Sequence, residues 1–162
     1  MSEAENIRIL VADDEAPIRD ALSKTLAKEG YETLQAQDGA LALDMLTRER
    51  VDLVLADLRM PKVDGMALLK TVTNSEDPVP VIMITGHGTI DDAVQSLKLG
   101  AFDFIQKPFK RHDLLRAVEK AVSTRRLLQE NIELRERLAE TEQAHHVIGT
   151  SSAMKDVLEL VA

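Results

Sequence analysis

The chain has 162 residues, with 28 Asp and Glu against 20 Lys and Arg, a formal net charge of −8 and no cysteine. That length suits one ordinary domain with an appendage, or two very small domains, and a 44% hydrophobic content excludes wholesale disorder. Without cysteine there are no disulfides, thiolate zinc sites, iron–sulfur clusters or thiol nucleophiles, while 2% aromatic residues and the negative charge argue against a nucleic-acid surface.

In chain order, short apolar runs alternate with amphipathic stretches. Strands are predicted at 7–12, 31–36, 53–57, 81–85 and 102–106, and helices at 15–29, 39–50, 65–74, 88–99 and from 111 onward. IRILVA and VIMIT are almost continuously apolar, as suits parallel strands covered on both faces. Gly30, Gly39, Gly65, Gly88 and Gly100 punctuate the element ends. Five βα units in succession predict an α/β fold with a doubly wound parallel sheet. Ligand chemistry in such a sheet lies at the carboxyl ends of the strands. No apolar run reaches the roughly 18 residues of a membrane span, and MSEAENIRIL lacks a basic leader. Both points predict a cytoplasmic protein that does not engage membranes.

Five residues follow or end strands and so converge on one crevice: Asp13 and Asp14 after the first, Asp57 at the third, Thr85 at the fourth and Lys107 after the fifth. Clustered carboxylates repel unless a cation sits among them, and an all-oxygen site suits Mg²⁺. A carboxylate nucleophile beside a metal, a lysine and a hydroxyl is arranged to receive a phosphoryl group. The bland alternative is that these acids merely cap the helices that follow. The four histidines show no metal-ligand spacing, and no phosphate-binding G-x-x-x-x-G-K-[ST] motif or hydrolase-like Ser–His–Asp arrangement occurs.

ILVADDE, DLVLADLRMPKVDG, VIMITGHG and FDFIQKPF, in that order over residues 7 to about 122, resemble the receiver domain of bacterial two-component response regulators. The resemblance implies a flavodoxin-like five-stranded sheet of order 2-1-3-4-5. Asp57 would be the phospho-acceptor for a sensor histidine kinase. Asp14 and Asp57 would bind Mg²⁺ directly, Asp13 through water, and Arg59 through its backbone carbonyl. Lys107 would pair with Asp57 before phosphorylation and with the phosphoryl oxygens afterwards, and the Lys107–Pro108 bond would be cis. Thr85 and Phe104 would form the switch, with Phe104 standing where many relatives have Tyr, and Arg59 and His87 would flank the site. The moving face would be helix 4, strand 5 and helix 5. A phosphoaspartate hydrolase of another α/β family is a rival, but it needs a second acid two residues after the nucleophile, where Arg59 stands.

No Gly or Pro interrupts residues 111–147, and Leu127, Asn131, Leu134, Leu138 and Thr141 follow a 4-3-4-3 spacing. That is a coiled-coil seam with Asn at one core position, while Leu128, Ile132 and Ala139 form a competing one. A single solvated helix is the simpler reading. HHVIGTSSAMKDVLELVA then resembles the opening of the AAA+ ATPase module of sigma-54-dependent activators of the NtrC type. The expected organisation is a receiver at 1–122, a helical linker at 123–146 and a severed AAA+ start at 147–162. This implies phosphorylation-controlled regulation of sigma-54-dependent transcription by a non-enzymatic fragment. Its dimer would form through the helix-4/strand-5/helix-5 face or the linker coiled coil. Contacts with sigma-54 RNA polymerase and DNA would belong to missing parts of the parent. A stand-alone phosphorelay or adaptor receiver with a partner-binding helix is the alternative.

Overall fold

The computed structural model describes residues 7–86 and 88–151, with side chains as far as residue 141. The chain divides into two compact units, Met1–Arg125 and Arg126–Ala162. In the first, β1 (Arg8–Ala12), β2 (Glu32–Ala36), β3 (Leu53–Ala56), β4 (Val81–Thr85) and β5 (Asp103–Gln106) alternate with α1 (Ala16–Lys28), α2 (Gly39–Arg48), α3 (Gly65–Thr73), α4 (Ile90–Lys98) and the start of α5 (Arg111–Ser151). The five strands form one parallel sheet, as the pattern predicts, in the order β2-β1-β3-β4-β5 that the family resemblance implies.

Strand periodicity of two divides the apolar side chains between the two sheet faces. Ile9, Val11, Leu53, Leu55, Ile82 and Ile84 meet Leu22 and Leu26 of α1 and Leu114, Val118 and Ala121 of α5. Leu10, Val54, Val81 and Met83 meet Ala42 of α2 and Leu68, Leu69 and Val72 of α3. The central strands β3 and β4 are buried throughout, whereas the edge strands β2 and β5 are partly exposed. Continuous apolar text therefore marks the middle of the sheet.

Caps set the helix starts at the carboxyl edge. Asp38 accepts from the Leu41 N–H, Asp64 accepts from the Ala67 N–H, and Thr89 and Asp92 form a reciprocal capping box. Helix α1 begins differently: its N-cap, Glu15, makes no side-chain capping bond. Asp13 and Asp14 precede that N-cap, and the bond from this pair into the turn is the one that Asp13 Oδ1 accepts from the Glu15 N–H at 2.9 Å. The Lys107–Pro108 peptide is cis.

In the second unit, α5 carries exposed Leu127, Leu128, Ile132, Leu134 and Leu138. The helix runs past residue 146, the expected end of the linker, and through Gly149 to Ser151. A glycine costs a helix interior about 1 kcal/mol but keeps its N–H, so one residue does not end the hydrogen-bond ladder. The remainder of the expected AAA+ opening, residues 152–162, lies outside the described residues. Among the described residues no helix is long and apolar enough to cross a membrane.

Candidate functional site: an acidic cluster at the carboxyl edge

Strands β1 and β3 are neighbours, with Ala12 opposite Ala56, so the chain leaves both at the same level. The Asp57 N–H donates to the Ala12 carbonyl at 2.9 Å and the Asp13 N–H to the Ala36 carbonyl at 3.1 Å. These bonds extend the sheet's order one residue beyond its strands. Gly65 completes the placement: its N–H donates to the Leu58 carbonyl at 2.8 Å. Its α-carbon packs so closely that a Cβ would stand 2.3 Å from the Asp57 carbonyl oxygen. Helix α3 therefore starts hard against the Asp57 backbone because residue 65 lacks a side chain.

The carboxylates of Asp13, Asp14, Glu15 and Asp57 each offer an oxygen, and these oxygens lie within 4.8 Å of one another. Asp13 and Asp57 are buried, at 2% and 4% exposure, whereas Asp14 and Glu15 are exposed. Both Asp13 oxygens are engaged, Oδ1 by the Glu15 N–H and Oδ2 by Lys107 Nζ, each at 2.9 Å. Asp57 Oδ1 is buried with no hydrogen-bond partner, which leaves a desolvated anionic oxygen uncompensated.

Lys107 follows β5, and its N–H donates to the Thr85 carbonyl at 2.9 Å. Its ammonium lies 2.9 Å from Asp13 Oδ2 and 3.6 Å from Asp57 Oδ2. The expected pairing with Asp57 is therefore an ion pair beyond hydrogen-bond length, and the hydrogen bond goes to Asp13. The Asp13 carboxylate is already pinned by Glu15 and presents its second oxygen in a fixed place; Asp57 has no such anchor.

Thr85 is fully buried at the end of β4. Phe104 is partly buried, and a Cβ at Gly88 would meet Phe104 Cζ at 2.6 Å and Thr85 Cγ2 at 2.8 Å. The ring and the threonine methyl thus close on the backbone of the β4–α4 loop, and a side chain at 88 would have to displace them. Arg59 is exposed and lines a shallow cavity of about 430 Å³ with Leu58, Met60, Asp64, Met66 and Asp92. His87 lies outside the described residues. A second cavity of about 360 Å³ opens near the amino ends of β3 and β4, among Val51, Val79 and Arg125, and shares no residue with the cluster.

Asp13, Asp14, Asp57 and Lys107 come together in this cluster, with Thr85 bound to it through the Lys107 backbone. Glu15 was not foreseen; it stands next to the Asp pair, and the turn into α1 folds its carboxylate back towards them. The model of the response regulator receiver domain family matches residues 9–119. The C4-dicarboxylate transport transcriptional regulatory protein DctD of Pseudomonas aeruginosa is 38% identical over 155 residues, covering 95% of this chain and 34% of that protein. Sporulation initiation phosphotransferase F of Bacillus subtilis is 41% identical over 115 residues, 71% of this chain and 93% of that protein. Among solved structures, NtrX from Brucella abortus superposes with a TM-score of 0.75 at 41% identity, over 81% of this chain and 30% of that one. The chain thus spans about a third of the length of DctD and of NtrX.

Proposed function

Because this chain belongs to the response regulator receiver domain family, we propose that Asp57 accepts a phosphoryl group from a sensor histidine kinase. An Asp57 oxygen attacks phosphorus, the bond to the kinase imidazole breaks, and an acyl phosphate forms. The observation that carries this reading is the Asp57 carboxylate itself: 4% exposed, one oxygen without a partner, and an ammonium 3.6 Å from the other. A buried anion so poorly compensated is costly, and it is explained by a role that adds partners.

The donor set fits Mg²⁺, being all oxygen and anionic, with the orphaned Asp57 Oδ1 and the exposed Asp14 carboxylate available. Asp14 and Asp57 would hold the ion directly. Asp13, with both oxygens engaged, would act through water, and the Arg59 carbonyl would add a further ligand. When bound, the ion neutralises charge on the phosphoryl oxygens. Lys107, already at the site, transfers its hydrogen bonding from Asp13 towards the new dianion. The Thr85 hydroxyl turns to donate to the same group, and Phe104 follows into the space that it leaves. Arg59, exposed beside the acceptor, controls access of water and hence the acyl phosphate's lifetime.

The output surface we propose is α4, β5 and α5. Helix α4 buries only Ser96 and exposes Ile90, Val94 and Leu97 along one stripe. Two receivers meet there, and their linker helices pair through the exposed leucines of residues 126–141. Residues 1–122 act as receiver, 123–146 as linker and 147–162 as the start of an AAA+ module that drives sigma-54-dependent transcription. Similarity to DctD, a transcriptional regulatory protein, over 155 residues supports this, since it extends well past the receiver match. The alternative, a stand-alone relay receiver, draws support from likeness to phosphotransferase F, but that likeness covers only 115 residues.

Treatment with beryllofluoride and Mg²⁺, followed by solution mass, tests the reading. Native protein should bind the phosphoryl mimic and change its association; Asp57→Ala should do neither. An unchanged response in Asp57→Ala would remove Asp57 from the role.

A further inference from the structure

The β1–α1 loop carries Asp13, Asp14 and Glu15, yet Asp14, a carboxylate assigned above to the metal, is exposed. An exposed aspartate is held only as well as its backbone is. The peptide that orients Asp14 is the one whose carbonyl belongs to Asp13. That oxygen accepts from Arg19 Nη1 at 2.7 Å, a charge-assisted hydrogen bond at the short end of its range. Arg19 sits one turn into α1, with its Nε 3.4 Å from Gln35 Oε1 on β2. Gln35 in turn donates to the buried Ser23 hydroxyl of α1 at 3.0 Å. A chain of polar contacts thus runs from the α1 body through the edge strand to the Asp13–Asp14 peptide. None of its three side chains reaches the cluster's carboxylates, and nothing in the phosphoryl chemistry above uses them.

We propose that Arg19 is a positioning residue for the metal site: by gripping the Asp13 carbonyl it sets the Asp13–Asp14 peptide, and so aims the Asp14 carboxylate at Asp57. The inference rests on the reading that Asp14 and Asp57 hold Mg²⁺. Charge makes it testable by sign. A guanidinium near a cation site repels the cation, so if Arg19 acted only as a nearby positive charge, its removal would tighten Mg²⁺ binding. If it acts by orientation, removal loosens binding, by about tenfold for an outer partner of a metal ligand.

The experiment is a Mg²⁺ titration of the full chain, read by amide chemical shifts, beside urea unfolding in a chelator. Arg19→Met, which keeps the aliphatic stem, should bind Mg²⁺ about tenfold more weakly with an unchanged urea midpoint. Arg19→Lys, with one donor still able to reach the Asp13 carbonyl, should recover most of the loss. Should Arg19→Met fail to fold, Gln35→Leu carries the test, since it leaves Arg19 unbraced and should weaken binding to a smaller degree. Equal or tighter binding by Arg19→Met, or by Gln35→Leu in its place, overturns the proposal. Asp14→Asn separates the two layers. If it binds Mg²⁺ as native protein does, the metal reading falls and the inference with it. If it loses binding while Arg19→Met does not, only the inference falls.

Discussion

The most direct test of how the fold holds Asp57, the proposed acceptor, is Gly65→Ala. Alanine is the better helix former by up to about 1 kcal/mol, so propensity alone predicts stabilisation at the head of α3. Space predicts the reverse. The new Cβ would lie 2.3 Å from the Asp57 carbonyl oxygen, 2.7 Å from Met83 Cε and 2.8 Å from Leu58 Cα. Met83 is a flexible side chain and can yield, but the other two atoms are backbone of the strand end that carries the acceptor. Restoring ordinary contact needs about 1 Å of movement, and overpacking of this kind costs roughly 1–3 kcal/mol. The clash outweighs propensity, and we expect a net loss of about 1–2 kcal/mol in urea unfolding. The movement also falls on Asp57, and a misplacement near 1 Å can cost about a hundredfold in rate. Phosphorylation by acetyl phosphate should accordingly slow by at least about tenfold. Gly86→Ala is the control, because its nearest neighbour is Lys107 Cβ at an ordinary 3.6 Å; its stability should match the native protein's or rise slightly. Native stability and native phosphorylation rate in Gly65→Ala would refute the reasoning, since α3 would then be free to slide without moving Asp57.

Asp57→Ala, unfolded by urea in a chelator, should be more stable than native protein by about 1–2 kcal/mol, because it removes a buried carboxylate with an unsatisfied oxygen; a loss of stability would contradict this. Lys107→Met, which leaves Asp13 and Asp57 without their shared ammonium, should cost about 3 kcal/mol in the same assay, the low end for a broken buried pair. Added Mg²⁺ should restore more stability to this variant than to native protein, and equal gains would place the ion elsewhere. Sedimentation of Leu134→Glu combined with Leu138→Glu, both exposed at present, should give monomers from a native dimer, and a persisting dimer would assign association to the receiver face.

Much of this was legible in the text because burial writes itself as pattern. The runs IRILVA and VIMIT are apolar on both sides because β1 and β4 lie inside the sheet, and their strand bounds follow to within a residue. Convergence of Asp13, Asp57 and Lys107 was legible for a topological reason: in a parallel sheet every strand ends on the same edge. The partners of these residues were less so. That Lys107 bonds Asp13 rather than Asp57 depends on a turn in which the Glu15 N–H pins one oxygen, a distance effect that no spacing encodes. Glu15 and Arg19 were missed for a related reason. Their roles come from the angle at which α1 leaves β1, and a lone Arg one turn into a helix reads as surface charge. That α5 continues through Gly149 to Ser151 is not written in the pattern either, because a long hydrogen-bond ladder absorbs one glycine.

The electrostatics of the cluster bear on why such a site would switch at all. Four carboxylates approach within 4.8 Å, and one ammonium serves the two that are buried. At an effective dielectric near 20, like charges at that distance repel by about 3–4 kcal/mol. One lysine bonded to Asp13 therefore leaves Asp57 undercompensated, as its partnerless oxygen attests. The sheet, cores and caps supply the stability that tolerates this strain. A divalent cation held as proposed, by Asp14 and Asp57, would relieve it, since the buried Asp57 Oδ1 has no partner and Asp14 is exposed. A phosphoryl group would not: as an acyl phosphate it carries two negative charges in place of the carboxylate's one, and needs new donors. The donors within reach are Lys107 and Thr85, and drawing on Thr85 disturbs the contact that packs Phe104 against the β4–α4 loop. Helix α4, which buries only Ser96, is the adjoining element least anchored against that disturbance. In the switch proposed for Asp57, the charge imbalance there and the loose seating of α4 are two ends of one path, along which a phosphoryl group would draw its donors.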